Sequence, residues 1–153
     1  MPNATRGLRA AILSGACLLG TATLSAQLPG VGFGLSAGGQ VVSPSGAFGD
    51  ATDTGYGAYL AARLNAVVIG AAATLDVTRF GGAQSMTVFG ARVGPRLGAG
   101  PVKFGFDVGR YSEIDRTGYT PNLSLALGPL EAGAGYTFFS GGRWLSLSGG
   151  LRF

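Results

Sequence analysis

The sequence predicts an all-β protein in which eight antiparallel strands run up and down and close into a barrel. Three observations carry that prediction. Apolar side chains recur at every second residue through eight segments, the period of a strand with two unlike faces. The opposite parity is filled by Gly, Ser, Ala and Thr, not by the Lys, Glu and Asp of a water-facing surface. Turn-forming clusters separate the segments, longer after strands one, three and five and shorter after two, four and six, with a short exception after strand seven. With 29 Gly in 153 residues and 12% charged residues, the chain departs from soluble domains, which average about 7% Gly and about 25% charged.

The first 26 residues stand apart. Arg6 and Arg9 precede the apolar run Ala10–Gly20, and small residues follow as far as Ser25-Ala26-Gln27. A basic start, a short apolar run and a small residue at the cut site predict a cleaved secretory signal peptide over 1–26. The run falls short of the roughly 20 residues that a membrane-spanning helix needs. Cys17, the one cysteine, lies in that run and is expected to leave with it; the alternative is a lipoprotein processing box at Leu13–Cys17, against which stand a Leu one position too early and the apolar residues that follow. Without Arg6 and Arg9, nine basic residues oppose seven acidic ones, a net charge of +2. The basic residues are scattered singly, which argues against a nucleic-acid partner.

Residues 27–153 are expected to form one barrel domain. Strand one covers Val31 to Val42, with Gly32, Gly34, Ser36 and Gly38 facing a crowded interior, and Ser43 to Asp53 reads as a long loop. Strand two starts near Gly55 and sets Tyr56, Ala58, Leu60, Ala62 and Leu64 against Gly57, Tyr59, Ala61 and Arg63. In strand three Val67, Ile69, Ala71, Ala73, Leu75 and Val77 oppose Gly70, Ala72, Thr74 and Asp76, and Arg79 to Gln84 forms a second loop. Strand four opposes Thr87, Phe89, Ala91 and Val93 to Met86, Val88, Gly90 and Arg92; Gly94-Pro95 ends its regular part, and Arg96 to Pro101 reads as a turn.

Strand five is the clearest, with Val102, Phe104, Phe106 and Val108 against Lys103, Gly105, Asp107 and Gly109, and Arg110 to Gly118 reads as a third loop. Strand six carries Tyr119, Leu123, Leu125 and Leu127 opposite Asn122, Ser124 and Ala126. After the turn at Gly128-Pro129, strand seven places Leu130, Ala132, Ala134, Tyr136 and Phe138 opposite Glu131, Gly133, Gly135 and Thr137. Beyond Ser140–Gly142, strand eight sets Leu145, Leu147, Leu151 and Phe153 against Ser146, Ser148, Gly150 and Arg152.

Which solvent meets the apolar parity follows from its partner parity. Small polar residues suit a tight interior better than a wet exterior. In hydrocarbon an unpaired amide costs several kcal/mol, so a closed ladder holds even glycine-rich strands together. The apolar parity is therefore expected to face lipid, which places the charges Arg92, Lys103, Asp107, Glu131 and Arg152 inside the barrel. Pairing of strands seven and eight about Gly141-Gly142 predicts a Glu131–Arg152 ion pair. Tyr56, Tyr119 and Phe138 near the loops, with Phe33, Phe104 and Phe153 near the turns, form the two aromatic belts expected at the interfaces.

This pattern, an even strand count with an alternating last strand that stops on Phe153, resembles the small eight-stranded outer-membrane β-barrels of bacteria, the OmpA and OmpX class. The resemblance covers residues 31–153 in architecture only. It implies a transmembrane barrel in the outer membrane, with both termini on the periplasmic side, surrounded by outer-membrane lipids and acting as a monomer. It also implies that Leu145, Leu147, Leu151 and Phe153 are the assembly signal read by the barrel-insertion machinery. The implied role is structural or surface-interacting and non-catalytic. Two alternatives remain: a narrow channel or carrier for small solutes, and a secreted soluble β-barrel.

Chemistry-bearing residues are few. The chain has no His, which excludes His-dependent triads, imidazole bases and His-ligated metals, and with them the His-dependent lipid A-modifying barrels. Ser146, Ser148 and Glu131 read as small interior polar residues before they read as a nucleophile and base. Asp107 and Glu131 read as members of ion pairs with Lys103 and Arg152, and Asp50 and Asp53 as solvated loop acids before a cation site. Catalytic, metal and cofactor residues are accordingly expected to be absent.

Overall fold

The computed structural model describes residues 31–153; the expected signal segment 1–26, Cys17 and the expected cut near Gln27 lie outside the described residues. Eight strands form one closed antiparallel sheet in chain order: β1 (Val31–Ser45), β2 (Gly55–Ala66), β3 (Ile69–Phe80), β4 (Met86–Leu97), β5 (Val102–Tyr111), β6 (Arg116–Leu127), β7 (Leu130–Phe139) and β8 (Gly142–Arg152). A short helix, α1 (Ala47–Ala51), sits in the first connection. Both ends of the described chain lie at the same end of the barrel, beside the shorter hairpin turns.

The register fixes the barrel's dimensions. Leu35 pairs with Ala62, and the row continues through Ala73, Val93, Val108, Tyr119, Phe138 and Arg143 to Ser45. It returns to β1 ten residues from where it started. Eight strands with that stagger tilt by about 40° and enclose a space that side chains fill.

Parity sorts the residues as the alternation predicts. Phe33, Leu75, Phe89, Phe104, Leu147 and Phe153 all point outward and are exposed. From Phe33 to Ser43 the outward face of β1 rises through about 25 Å at that tilt, the height of a hydrocarbon core. The outward parity of the strands carries only three charges, Arg79, Arg110 and Arg143, all near the loop-side end. At the turn-side end that face is wholly apolar.

Several boundaries differ from the sequence expectation. β1 runs on to Ser45, and the loop beyond it contains α1. β3 includes Phe80, and β5 includes Tyr111, both 1% exposed and facing inward where loops were expected. β4 continues past Gly94-Pro95 to Leu97, so Arg96 is a buried strand residue and not part of a turn. The ladder between β4 and β5 skips Gly94 and Pro95 and resumes at Arg96. Pro95 has no N–H to give, and it sits where the pairing is already interrupted. Val67, expected in a strand, lies at the tip of a tight turn with φ 24. Longer strands shorten the connections, because each added ladder bond satisfies backbone groups that a loop leaves to solvent.

Candidate functional site

The lumen is built in layers. At the loop-side end an aromatic cluster closes it: Trp144, Phe80, Tyr111 and Phe48 are buried together with Val42 and Val88, and Phe139 packs against them. Three of these rings come from strand ends and continue parities already inward, Phe80 after Asp76 and Thr78, Tyr111 after Asp107 and Gly109, and Trp144 ahead of Ser146. Phe48 arrives from α1 and caps the group, its ring 5.1 Å from Phe80, edge-on, and 5.6 Å from Trp144. Tyr111 meets Trp144 edge-on at 4.9 Å, a geometry that favours aromatic pairs. The loop holding Phe48 is tied down: Thr52 Oγ1 donates to the Phe48 carbonyl at 2.6 Å, and Asp53 N donates to Gly81 O at 3.0 Å.

Parity alone had placed small polar residues throughout the interior, so this plug is a correction. Trp144 was legible from its place in β8. Phe48 was not, because no periodicity marks a loop residue that folds inward.

Beneath the plug lie buried polar groups. Gln40 Nε2 donates to Thr78 Oγ1 at 2.7 Å, and Arg92 Nε lies 3.1 Å from Asp76 Oδ1 without hydrogen-bond alignment. Thr120 and Thr137 share a hydroxyl hydrogen bond of 2.8 Å. The next layer is a two-pronged ion pair, Arg96 to Asp107 at 2.5 and 2.9 Å, with Asn122 Nδ2 donating to Asp107 at 3.1 Å. At the turn-side end Arg63 donates to Glu131 and to Ser36 Oγ, while Lys103 donates to Asn65 Oδ1.

All five charges read as interior, Arg92, Lys103, Asp107, Glu131 and Arg152, lie on the lumen-facing parity; Glu131 keeps its expected partner and gains a second, while Asp107 takes a different one. Glu131 stands opposite Gly150 in the register, so Arg152 is one inward position away and pairs with the carboxylate at 3.8 Å as expected, while Arg63 adds a direct hydrogen bond to its other oxygen. Asp107 pairs with Arg96, not Lys103, because β4 continues inward at Arg96. Arg63, Asp76 and Arg96 were therefore missing partners, and the inward parity of β2, β3 and an extended β4 is the signal that finds them.

The hydroxyls of Ser146 and Ser148 and the carboxylates of Asp107 and Glu131 are engaged by neighbours within the lumen. Ser146 Oγ donates to Gly135 O at 3.2 Å and Ser148 Oγ to Gly133 O at 3.4 Å, so both hydroxyls are engaged by the backbone. Glu131 and Asp107 are each held by arginine. Among the described residues no group of three or more His, Cys, Asp or Glu could hold a metal ion. An interior cavity of about 60 Å³ lies between the layers of Arg92, Arg96 and Arg63, and another of about 10 Å³ lies just below the plug. Leu145, Leu147, Leu151 and Phe153 face outward on β8 and at its end.

Outside the lumen, the hairpin between β5 and β6 carries an exposed ion pair, Arg110 to Asp115 at 2.5 Å. The hydrogen bond and charge of Arg110 hold the Asp115 carboxyl below its ordinary range. A lowered folded pKa means that the hairpin gains from this pair above the ordinary Asp range and loses it as pH falls through the folded value. The NMR signals of Ser112 to Arg116 are expected to broaden or shift on acidification below about pH 4.

No protein-family model matches the chain, and no curated protein matches it in sequence. Solved structures do match its fold. Neisserial surface protein A (NspA) superposes with a TM-score of 0.52 at 18% identity, covering 80% of this chain and 97% of that one. Ail, the attachment invasion locus protein of Yersinia pestis, in complex with the heparin analogue sucrose octasulfate, superposes with a TM-score of 0.52 at 17% identity, covering 79% and 97%. A second structure of Ail gives 0.52 at 16% identity, covering 81% and 99%. The chain thus has the fold of small eight-stranded membrane barrels.

Proposed function

We propose that this chain is a monomeric, non-catalytic barrel of the bacterial outer membrane, exported by a cleaved segment over 1–26, whose loop-side end serves surface interaction or envelope structure. The observation that carries the reading is the outward face: an apolar band about 25 Å tall, free of charge except for Arg79, Arg110 and Arg143 at one end. That parity suits acyl chains and is the reverse of what a secreted soluble barrel needs. The plug at the loop-side end argues against a channel. NspA and Ail, one a surface protein and the other crystallised with a sulfated heparin analogue, favour a role in surface contact. In this reading Leu145, Leu147, Leu151 and Phe153 present the signal to the insertion machinery.

Cell fractionation tests the proposal: the protein should sediment with the outer membrane and need detergent for extraction, and recovery in the soluble periplasm or medium would overturn it. An energetic test uses Leu147, 55% exposed on the outward face of β8. Leu147→Arg is expected to lower unfolding free energy in lipid vesicles by about 2–4 kcal/mol. A water-facing leucine would tolerate the change almost neutrally.

A further inference from the structure

Charge in the lumen does not balance. Below the aromatic plug five basic side chains face into the barrel, Arg63, Arg92, Arg96, Lys103 and Arg152, against three acidic ones, Asp76, Asp107 and Glu131. Asp76 is matched by Arg92 and Asp107 by Arg96. Glu131 is left to serve Arg63, Lys103 and Arg152, all near the turn-side end. It hydrogen-bonds Arg63 and lies 3.8 Å from Arg152. Lys103 makes no carboxylate pair among the described residues, and its ammonium donates to the amide oxygen of Asn65.

A cavity of about 20 Å³ lies among these groups, lined by Asn65, Lys103, Ser124, Glu131 and Arg152. Cationic residues dominate its walls, Arg63, Lys103 and Arg152, with Asn65 and Ser124 as neutral polar neighbours. The one carboxylate is already engaged by Arg63. The Arg152 side chain is 35% exposed, so the group opens toward the turn-side mouth, while the aromatic plug closes the far end.

We propose that this turn-side mouth is an anion site for an oxyanion of the phosphate class. Cations brought together in a half-buried place, without matching carboxylates, repel one another and lose hydration unless an anion pairs with them. An arginine fork and an ammonium match the oxygens of a tetrahedral anion through charge-assisted hydrogen bonds. The cavity has room for about one or two oxygen atoms, so an edge of the anion enters between Lys103 and Arg152 and the rest stays in the mouth. This inference needs only the closed barrel and stands apart from the reading of where the protein resides.

The test titrates inorganic phosphate into the folded barrel in a zwitterionic detergent, replacing chloride at constant ionic strength, followed by calorimetry and by amide NMR shifts of β2, β5 and β8. Saturable binding is expected, with shifts centred on Asn65, Lys103 and Arg152. Lys103→Gln should weaken it about tenfold or more, as loss of a charge-assisted partner does. Lys103→Arg should retain it, and Arg143→Gln, at the opposite end and facing outward, should leave it unchanged. Arg152→Gln supplies a second loss variant should Lys103→Gln fail to close its barrel. Absence of saturation in the wild-type protein, undiminished binding in the folded loss variant, or an equal loss in Arg143→Gln would overturn the proposal.

Discussion

Arg96→Met is expected to destabilise the barrel by about 3–5 kcal/mol, the loss that follows when one member of a buried ion pair is removed. Asp107 is 3% exposed, and without Arg96 it keeps Asn122 as its one side-chain hydrogen-bond donor. Denaturant unfolding in detergent or lipid, followed by circular dichroism, measures the loss. The double variant Arg96→Met with Asp107→Leu should recover most of it, because an apolar pair leaves no buried charge unmatched. Equal losses in the single and double variants would show that packing, not charge, is what Arg96 supplies. The pair also explains two glycines. A Cβ at Gly94 would collide with the Phe106 carbonyl and the Asp107 carboxylate, and one at Gly105 with the Arg96 guanidinium and Asn122.

Trp144→Ala is expected to cost about 3–5 kcal/mol, the range for truncating a large buried aromatic. Its ring contacts Phe48, Phe80, Tyr111 and Phe139, so the cavity left behind is shared by four neighbours that cannot all collapse into it. Circular dichroism is again the probe, since the variant loses the one tryptophan. In planar bilayers the wild-type protein should carry no stepwise current. A stable open conductance in the wild type would contradict the plug, whatever the unfolding data show. Phe48→Ala should cost less than Trp144→Ala, because Phe48 reaches the cluster from a loop that can readjust.

The outer half of this architecture was legible residue by residue. The alternation of Val102, Phe104, Phe106 and Val108 with Lys103, Gly105, Asp107 and Gly109 depends only on the two-residue period of a strand, and it survives unchanged in β5. The interior was legible as a list of inward charges but not as a set of partners. A strand's own sequence tells which way Glu131 points; that Arg63 reaches it as well as Arg152 depends on stagger between strands that are far apart in the chain. Where β4 ends was misread for a related reason. Gly94-Pro95 weakens a strand locally, yet pairing with β3 and the Arg96–Asp107 contact carry β4 past it.

By itself, the sequence determined the number of strands, the face each residue takes and the preference of the outer face for an apolar solvent, because those follow from local periodicity and composition. Only the tertiary structure decided how the lumen is filled: which cation meets which carboxylate, where an aromatic cluster seals one end, and where positive charge is left over at the other. Those outcomes depend on a ten-residue stagger accumulated around the closed sheet, a quantity that no single strand contains.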